Sequence, residues 1–173
     1  MKTRSIIIFC ITITISMGGC FLINGDWNIY DENGNMILKR HYKYGKLHGT
    51  FIEYNCKGDT VSIRLYKNGL VDSLIKTYYD DNKIRSHSEM KNDKQDGVTK
   101  TYYESGQLYQ ITHFKEGFFD GESIHYYENG NIKQVGQSTR GAKDGVWFYM
   151  NEQGDTIKTE VYNLGKLEKV IDP

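Results

Sequence analysis

The side chains that could perform acid–base or metal chemistry are few and scattered. His41 and His113 occupy equivalent places 72 residues apart, while His87 and His125 have no second histidine or cysteine at metal-ligand spacing. Acidic residues recur in Gly-x-x-Asp-Gly segments such as Gly141–Gly145. Each segment offers one carboxylate, whereas Ca²⁺ prefers several oxygen ligands. We therefore predict no metal site, no cofactor and no enzymatic activity.

Cys20 is the cysteine whose surroundings indicate a modification. It follows a short basic start and an uncharged, Ile-rich run, which is the layout of a secretory signal. The segment Met17–Cys20 resembles a bacterial lipobox, whose cysteine is lipidated after cleavage. We predict a lipoprotein signal peptide at residues 1–19 and a short tether at 20–24. The protein would then be anchored by lipid in the bacterial cell envelope, facing the periplasm or the exterior. An uncleaved membrane anchor is one alternative, because residues 5–25 carry no charge. Plain secretion or a cytosolic location is the other.

The composition favours a thin β structure without a nucleic-acid surface. Lys plus Arg and Asp plus Glu number 22 each, so there is no basic excess to attract nucleic acid. Hydrophobic residues make up 38% of the chain, and there are 18 glycines and 14 tyrosines. Tyrosine suits half-buried pleated surfaces, and no helical periodicity follows the signal segment. We expect little helix and no nucleic-acid partner.

Glycine recurs with a period of 24 residues. Three series of positions, each spaced by multiples of 24, hold 15 of the 16 glycines that follow Cys20, and only Gly136 lies outside them. Asn82 and Asp93 replace glycine within these series, and Asn and Asp tolerate a left-handed backbone best among other residues. The series therefore predict positive φ at turns. The predicted structural turn glycines are Gly34, Gly45, Gly49, Gly58, Gly69, Gly97, Gly106, Gly117, Gly121, Gly130, Gly141, Gly145, Gly154 and Gly165.

Two kinds of turn separate the predicted strands. Asn-Gly pairs such as Asn33-Gly34 indicate tight two-residue hairpin turns, and glycine-bracketed segments such as Gly45–Gly49 indicate a wider turn. A half unit at Gly25–Tyr30 followed by six units predicts about 13 strands. The predicted fold is all-β. Tandem 24-residue β-hairpin repeats over residues 25–173 form an elongated, twisted, single-layer antiparallel sheet.

A tyrosine ends the strand before the Asn-Gly type of turn in five repeats. Equal spacing places equal positions side by side across a sheet, so these tyrosines should form a row. Tyrosine and tryptophan supply contact area at low entropic cost, which makes such a row a candidate binding surface. Its predicted members are Tyr30, Tyr54, Tyr78, Tyr102, Tyr126 and Trp147. The alternative is that the rings only cover and stabilise the sheet.

The strand–turn pattern also resembles a known repeat. The segments Tyr126–Lys133 and Gly141–Trp147 together resemble the bacterial variant of the MORN repeat, and the resemblance extends over residues 25–169. It implies a β-hairpin repeat of the kind derived above. MORN repeats elsewhere serve as interaction or membrane-associating modules, and similar proteins are often described as antitoxin components of toxin–antitoxin systems.

These observations predict a membrane-tethered, non-enzymatic interaction or scaffold protein that binds a protein or glycan partner through its repeat surface. The resemblance adds an alternative, which is an antitoxin or immunity protein that neutralises a toxin. An enzyme of unrecognised type is the third hypothesis, and it would require polar groups that converge in a cleft.

Overall fold

The computed structural model describes residues 23–172, and every helix or strand assigned in that range is a β-strand. The predicted signal peptide and Cys20 lie outside the described residues. Across residues 23–172 we find no helix with the length and apolar character needed to cross a membrane. The strands are β1 (Gly25–Tyr30), β2 (Met36–Lys43), β3 (Lys46–Leu47), β4 (Gly49–Tyr54), β5 (Thr60–Lys67), β6 (Leu70–Tyr78), β7 (Ile84–Lys91), β8 (Lys94–Tyr102), β9 (Leu108–Lys115), β10 (Phe118–Tyr126), β11 (Ile132–Thr139), β12 (Ala142–Met150), β13 (Thr156–Asn163) and β14 (Lys166–Ile171).

The described residues up to Lys83 form one compact unit, and those from Ile84 onward form a second. In the first unit the strand order is β1-β2-β4-β5-β6, with β3 beside β2, and in the second it follows the chain from β7 to β14. The pairs are antiparallel in both units. The predicted all-β fold of tandem antiparallel hairpins is confirmed. The described range holds 14 strands rather than 13 because His48 separates β3 from β4.

The turn between β1 and β2 is wider than the Asn-Gly pair predicts. Gly34 N–H donates to the Asp31 carbonyl (3.1 Å), and Asp31 N–H donates to the Asn35 carbonyl (2.9 Å). A two-residue Asn-Gly turn needs positive φ at both residues, but here only Gly34 has it, at 86°. The Asp31 carboxylate instead accepts the N–H of Asn33 at 2.9 Å and holds a five-residue connection. The tight-turn prediction is wrong at this position.

The tight turns lie where wide ones were predicted. Tyr44 and Gly45 alone connect β2 to β3, with φ of 51° and 75°, and Leu164 and Gly165 connect β13 to β14 in the same way. Positive φ at two successive residues matches the right-handed twist of the flanking strands. Neither Tyr44 nor Leu164 favours a left-handed backbone, so their residue types carry no signal for this turn.

Hydrogen bonds to the preceding repeat compensate for the unfavourable residues in these tight turns. Tyr44 N–H donates to Asn24 Oδ1 (2.6 Å), and the next N–H, of Gly45, donates to the Ile23 carbonyl (2.8 Å). Leu164 N–H donates to Asp144 Oδ1 at 3.2 Å in the equivalent place. The recurring acidic residue of the Gly-x-x-Asp-Gly segments therefore ties one hairpin to the next.

Positive φ is confirmed at every glycine of the three series and at three of the residues that replace glycine, with φ of 103° at Ser73, 60° at Asn82 and 66° at Asp93. Lys169, the fourth replacement, does not have positive φ. One of the three series, however, lies within or at the start of strands rather than in turns. Gly97 is in β8, where three residues oppose one on β7 and form a bulge. The glycines Gly49, Gly97, Gly121 and Gly145 are thus strand or bulge residues, which corrects their prediction as turn glycines.

The interior of the second unit is a row of cross-strand neighbours on one face. Thr112 (3% exposed) pairs with Ser123, which pairs with Gly136, and the indole of Trp147 (also 3% exposed) lies against Gly136. A Cβ at Gly136 would lie 2.2 Å from this ring. Among the described residues, the one glycine outside the 24-residue series is therefore the one that admits the indole.

Candidate functional site

The predicted tyrosines occupy equivalent places at the ends of alternate strands. All five are half-buried. Four have described pairing partners at the start of the following strand, which are Met36 for Tyr30, Thr60 for Tyr54, Leu108 for Tyr102 and Ile132 for Tyr126. The register therefore repeats as the spacing predicts. Half-buried rings can both support the sheet and contribute to a surface.

Trp147 does not belong to the same surface as the tyrosines. In its repeat the tyrosine position is Met150, three residues further along β12, and residues three apart on a strand lie on opposite faces. Trp147 is only 3% exposed, and its indole N–H donates to the Gln137 carbonyl at 2.9 Å. The structure thus buries Trp147 on the face opposite the tyrosines, which corrects its prediction as a member of the candidate binding surface.

An apolar row crosses four strands of the second unit. Ile111 pairs with Ile124, Ile124 with Val135, and Val135 with Phe148. Phe148 is 42% exposed, and Val146 beside it on the same face of β12 is 44% exposed. We name this the aliphatic face and define it by Ile111, Ile124, Val135 and Phe148. Ile111, Ile124 and Val135 are half-buried, and a contiguous apolar strip that reaches exposed side chains is typical of interaction sites.

The opposite face carries a compact group of charged and aromatic side chains near the end of the second unit. We name it the Lys143 cluster and define it by Lys143, Trp147, Tyr149, Glu160 and Tyr162. The Lys143 ammonium lies 4.5 Å from the ring centroid of Trp147, 5.3 Å from that of Tyr149 and 4.9 Å from that of Tyr162. It donates to the Tyr149 hydroxyl at 2.7 Å and lies 3.8 Å from Glu160 Oε2. Three rings and a carboxylate therefore surround one ammonium.

Glu160 organises the walls of this cluster. Its Oε2 accepts hydrogen bonds from the hydroxyls of Tyr149 and Tyr162, the latter at 2.9 Å, and its Oε1 lies 3.0 Å from Lys158 Nζ. Hydrogen bonds from Tyr149 and Lys158 lower the pKa of Glu160 from 4.5 to about 2. Burial, together with the Glu160 carboxylate, raises the pKa of Tyr149, and burial lowers the pKa of Lys143. Near neutral pH the carboxylate is ionised and the tyrosines are protonated.

The first unit has related pairs at the equivalent positions, but there the cation comes from the position that Glu160 occupies in the second unit. Arg64 is equivalent to Glu160, and its guanidinium lies 5.4 Å from the Phe51 ring centroid and bonds Glu53 at 2.9 Å. Arg40 similarly lies 5.4 Å from the ring centroid of Tyr42. Cations packed on aromatic rings therefore recur on this repeat face.

The histidines remain dispersed. His41 Nδ1 lies 2.8 Å from Asp26 Oδ1, with both side chains largely exposed. His113 Nδ1 lies 2.8 Å from the Glu122 carbonyl. Burial, aided by nearby lysines, lowers the pKa of His125. Over residues 23–172 we find no group of three or more His, Cys, Asp or Glu that could hold a metal ion.

A shallow groove opens beside two of the tight turns in the second unit. Its volume is about 590 Å³ and its lining residues are Lys115, Glu116, Phe118, Asp120 and Arg140. Phe118 is 59% exposed at its mouth. The groove brings together both signs of charge and one ring, but its lining contains no hydroxyl, thiol or imidazole nucleophile.

The Lys143 cluster was not predicted, although part of it has a sequence signal. Lys143, Trp147 and Tyr149 are separated by even numbers of residues on one strand, which places them on one face. Glu160 joins them because it pairs with Trp147 across the sheet, and that register depends on turn geometry and bulges. Strand periodicity could have found the first three side chains but not the carboxylate.

Three segments of the chain match the family model of the MORN repeat variant, at residues 23–44, 95–116 and 119–138. Each contains one hairpin built around a wide turn, and their starts differ by multiples of 24 residues, in agreement with the repeat length. The predicted repeat type is confirmed for these segments. No curated protein matches the chain. MORN repeats are a non-catalytic repeat type and are generally associated with protein or membrane interaction.

Proposed function

We propose that the protein is a non-enzymatic interaction module that binds a protein partner through its aliphatic face. The carrying observation is the continuous apolar row on β9–β12, in which Ile111, Ile124 and Val135 are half-buried and Phe148 is 42% exposed. Burying such a row gains about 25 cal/mol for each Å² of apolar surface removed from water. A protein partner fits this face better than a glycan because its apolar side chains, Phe148 included, offer the hydroxyls of a glycan no hydrogen bonds.

The surroundings of the apolar row support this proposal. Lys100 pairs with Ile111 at one end of the row, and Thr159 pairs with Phe148 at the other. An apolar centre with polar side chains at its margins is the usual anatomy of a protein interface. Tyr126 lies two residues from Ile124 on the same face of β10, so the predicted tyrosine row borders the aliphatic face.

The coupling between repeats favours binding through preorganisation. The Tyr103 hydroxyl donates to the Tyr126 carbonyl and the Tyr127 hydroxyl to the Met150 carbonyl, each at 2.8 Å. These bonds join successive hairpins at one end of the strands, while the Asp144 bond to Leu164 joins them at the other end. A surface that is ordered before binding loses less conformational entropy when the complex forms.

A charged substitution within the aliphatic face tests the proposal. The tagged full-length protein would be recovered from its own cell envelope as the wild type, as Phe148→Asp and as the matched control Phe118→Asp, which places the same charge at another exposed phenylalanine. We expect a specific protein to be recovered with the wild type and with Phe118→Asp, and to be reduced at least about tenfold with Phe148→Asp. Equal recovery with both variants would refute this surface.

The nature of the recovered partner separates the remaining hypotheses. A toxic protein whose effect is relieved by co-expression would identify an antitoxin or immunity role. A glycan in place of a protein would contradict the choice of partner made here.

The proposed location is the bacterial envelope, with a lipid on Cys20. The sequence around Cys20 supports this part of the proposal. Metabolic labelling with an alkyne analogue of palmitate should label the wild type and Cys56→Ala but not Cys20→Ala. Label that persists in Cys20→Ala, or is absent from the wild type, would contradict a lipid anchor at this residue.

A further inference from the structure

The Lys143 cluster places three aromatic rings and a carboxylate around an ammonium group. We infer that this cluster is a binding site for the primary ammonium of a lysine side chain from a protein partner, and that Lys143 occupies the site in the free protein. Aromatic rings around a cation, with a carboxylate beside them, are a recurring design for ammonium recognition. The cluster lies on the face opposite the aliphatic face, so this site is independent of the function proposed above.

The walls of the site are held by contacts that do not involve Lys143. The Trp147 indole is fixed by its bond to the Gln137 carbonyl (2.9 Å) and by its close approach to Gly136. The rings of Tyr149 and Tyr162 are fixed by their hydroxyl bonds to Glu160. The site is therefore arranged to accept a cation whichever chain supplies it.

Lys143 behaves as an internal ligand rather than as part of the wall. Its side chain is 34% exposed and enters the site along a flexible stem. In other repeats the same position holds Val71 and Phe119, so the hairpin does not require a lysine there. In the first unit Arg40 and Arg64 pack on rings from the strand position that Glu160 occupies here. In this repeat that position supplies a carboxylate. Lys158 on the same strand pairs with Glu160 Oε1 at 3.0 Å and lies 4.2 Å from the Tyr149 centroid, while Lys143 lies among the three rings.

The hydrogen bond to Tyr149 selects a primary ammonium. Lys143 Nζ donates to the Tyr149 hydroxyl at 2.7 Å, and that hydroxyl in turn donates to Glu160. A quaternary ammonium has no N–H to donate and would leave the Tyr149 oxygen without this partner. An uncharged acetylated lysine would lose the attraction to the carboxylate and to the rings.

Lys143 competes with any small ligand for the site and so lowers the apparent affinity of that ligand for the wild type. A tethered group has an effective concentration of about the millimolar range or above, so free lysine must exceed it to enter the wild-type site. A protein partner gains contacts elsewhere and can overcome this competition. Removing the Lys143 side chain should therefore reveal the site to a small ligand.

The experiment titrates Nα-acetyl-lysine methylamide into Lys143→Ala at constant ionic strength. Binding is followed by the indole N–H resonance of Trp147, which Trp27→Phe serves to assign. We expect saturable binding at least about tenfold tighter than to the wild type, equivalent to ~1.4 kcal/mol. A second substitution, Glu160→Gln, should weaken it again. The Nε-trimethylated ligand should bind more weakly, and the Nε-acetylated ligand should not bind.

Matched variants keep the test decisive. Lys166→Ala removes an exposed lysine near the neighbouring tight turn and should bind no better than the wild type. Lys143→Val introduces the residue found at position 71 and replaces Lys143→Ala if that variant does not fold, as judged by near-UV circular dichroism. Phe148→Asp introduced into the binding-competent Lys143 variant should leave ammonium binding unchanged, which separates this site from the aliphatic face.

The inference is overturned if folded Lys143→Ala or Lys143→Val shows no saturable shift. Equal affinity of the wild type and the variant would overturn the role of Lys143 as internal ligand. Tighter binding of the trimethylated ligand would overturn the assignment to a primary ammonium. None of these outcomes would affect recovery of a partner through Phe148.

Discussion

Replacing Gly136 with alanine tests the packing that places Trp147 in the interior. Gly136 does not have positive φ, so its backbone conformation is open to alanine. The obstacle is steric, because the new Cβ would lie 2.2 Å from Cδ2 of Trp147 and 2.5 Å from Cε2. Neither the rigid ring nor the paired strand can yield without losing contacts. The indole must therefore leave its place.

The expected cost follows from the contacts that the indole would lose. Overpacking a well-filled site costs about 1–3 kcal/mol. The bond from Trp147 to the Gln137 carbonyl (2.9 Å) would also be lost, at about 1 kcal/mol, with more if the carbonyl stays buried. The contact between the ring and Lys143 contributes roughly another 1 kcal/mol. We expect Gly136→Ala to lower the free energy of unfolding by about 4 kcal/mol.

Equilibrium urea denaturation of a double-mutant cycle measures this coupling. The second substitution is Trp147→Thr, which introduces the residue found at the equivalent position Thr99. On that background Gly136→Ala should cost less than about 1 kcal/mol, because no ring opposes the new methyl group. The control is Gly154→Ala, where φ is 92° and no atom lies within 4 Å. It should cost about 1–2 kcal/mol on both backgrounds, since its strain is in the backbone.

Two results would refute the reasoning. A cost below about 1 kcal/mol for Gly136→Ala in the otherwise wild-type chain would mean that the indole is not held against this strand. An equal cost with and without Trp147→Thr would show that the penalty arises from the backbone rather than from the ring.

Three further substitutions have defined expectations. The pKa of Glu160 is about 2 in the folded protein against 4.5 ordinarily. The free energy of unfolding of the wild type should therefore fall by roughly 3 kcal/mol as the pH falls from 4.5 towards 2. Glu160→Gln removes this carboxylate. The variant should lose less over that range in acid denaturation, and parallel curves would contradict the role of Glu160. Tyr103→Phe should lower the free energy of unfolding by about 1 kcal/mol through the lost bond to the Tyr126 carbonyl, with Tyr126→Phe, which keeps that carbonyl, as its control. Leu164→Asn should raise it by about 0.5–1 kcal/mol, because φ is 44° at an exposed turn residue, and a lower urea midpoint would argue against strain there.

The sequence predicted the strands and the left-handed positions well because both depend on local chemistry. A residue with positive φ must be glycine or a substitute such as Asn82 or Asp93, and both have the expected backbone. Turn type was harder to predict. The residues of the tight turn at Tyr44-Gly45 contain no pattern that local propensity would choose, and bonds to Asn24 and Ile23 support it. Local preference yields when a neighbouring repeat supplies compensating hydrogen bonds.

In the candidate site, too, the sequence predicted the features that depend on local spacing and missed those that depend on cross-strand contacts. The tyrosine spacing was visible in the sequence, yet Trp147 was assigned to the same candidate binding surface although an odd separation on a strand places it on the other face. The amino-acid sequence by itself determined a 24-residue β-hairpin repeat, because period and backbone preference are properties of neighbouring residues. The tertiary structure decided that Lys143 and Trp147 meet Glu160. Cross-strand register decides which side chains meet, and each bulge shifts that register by one residue or more.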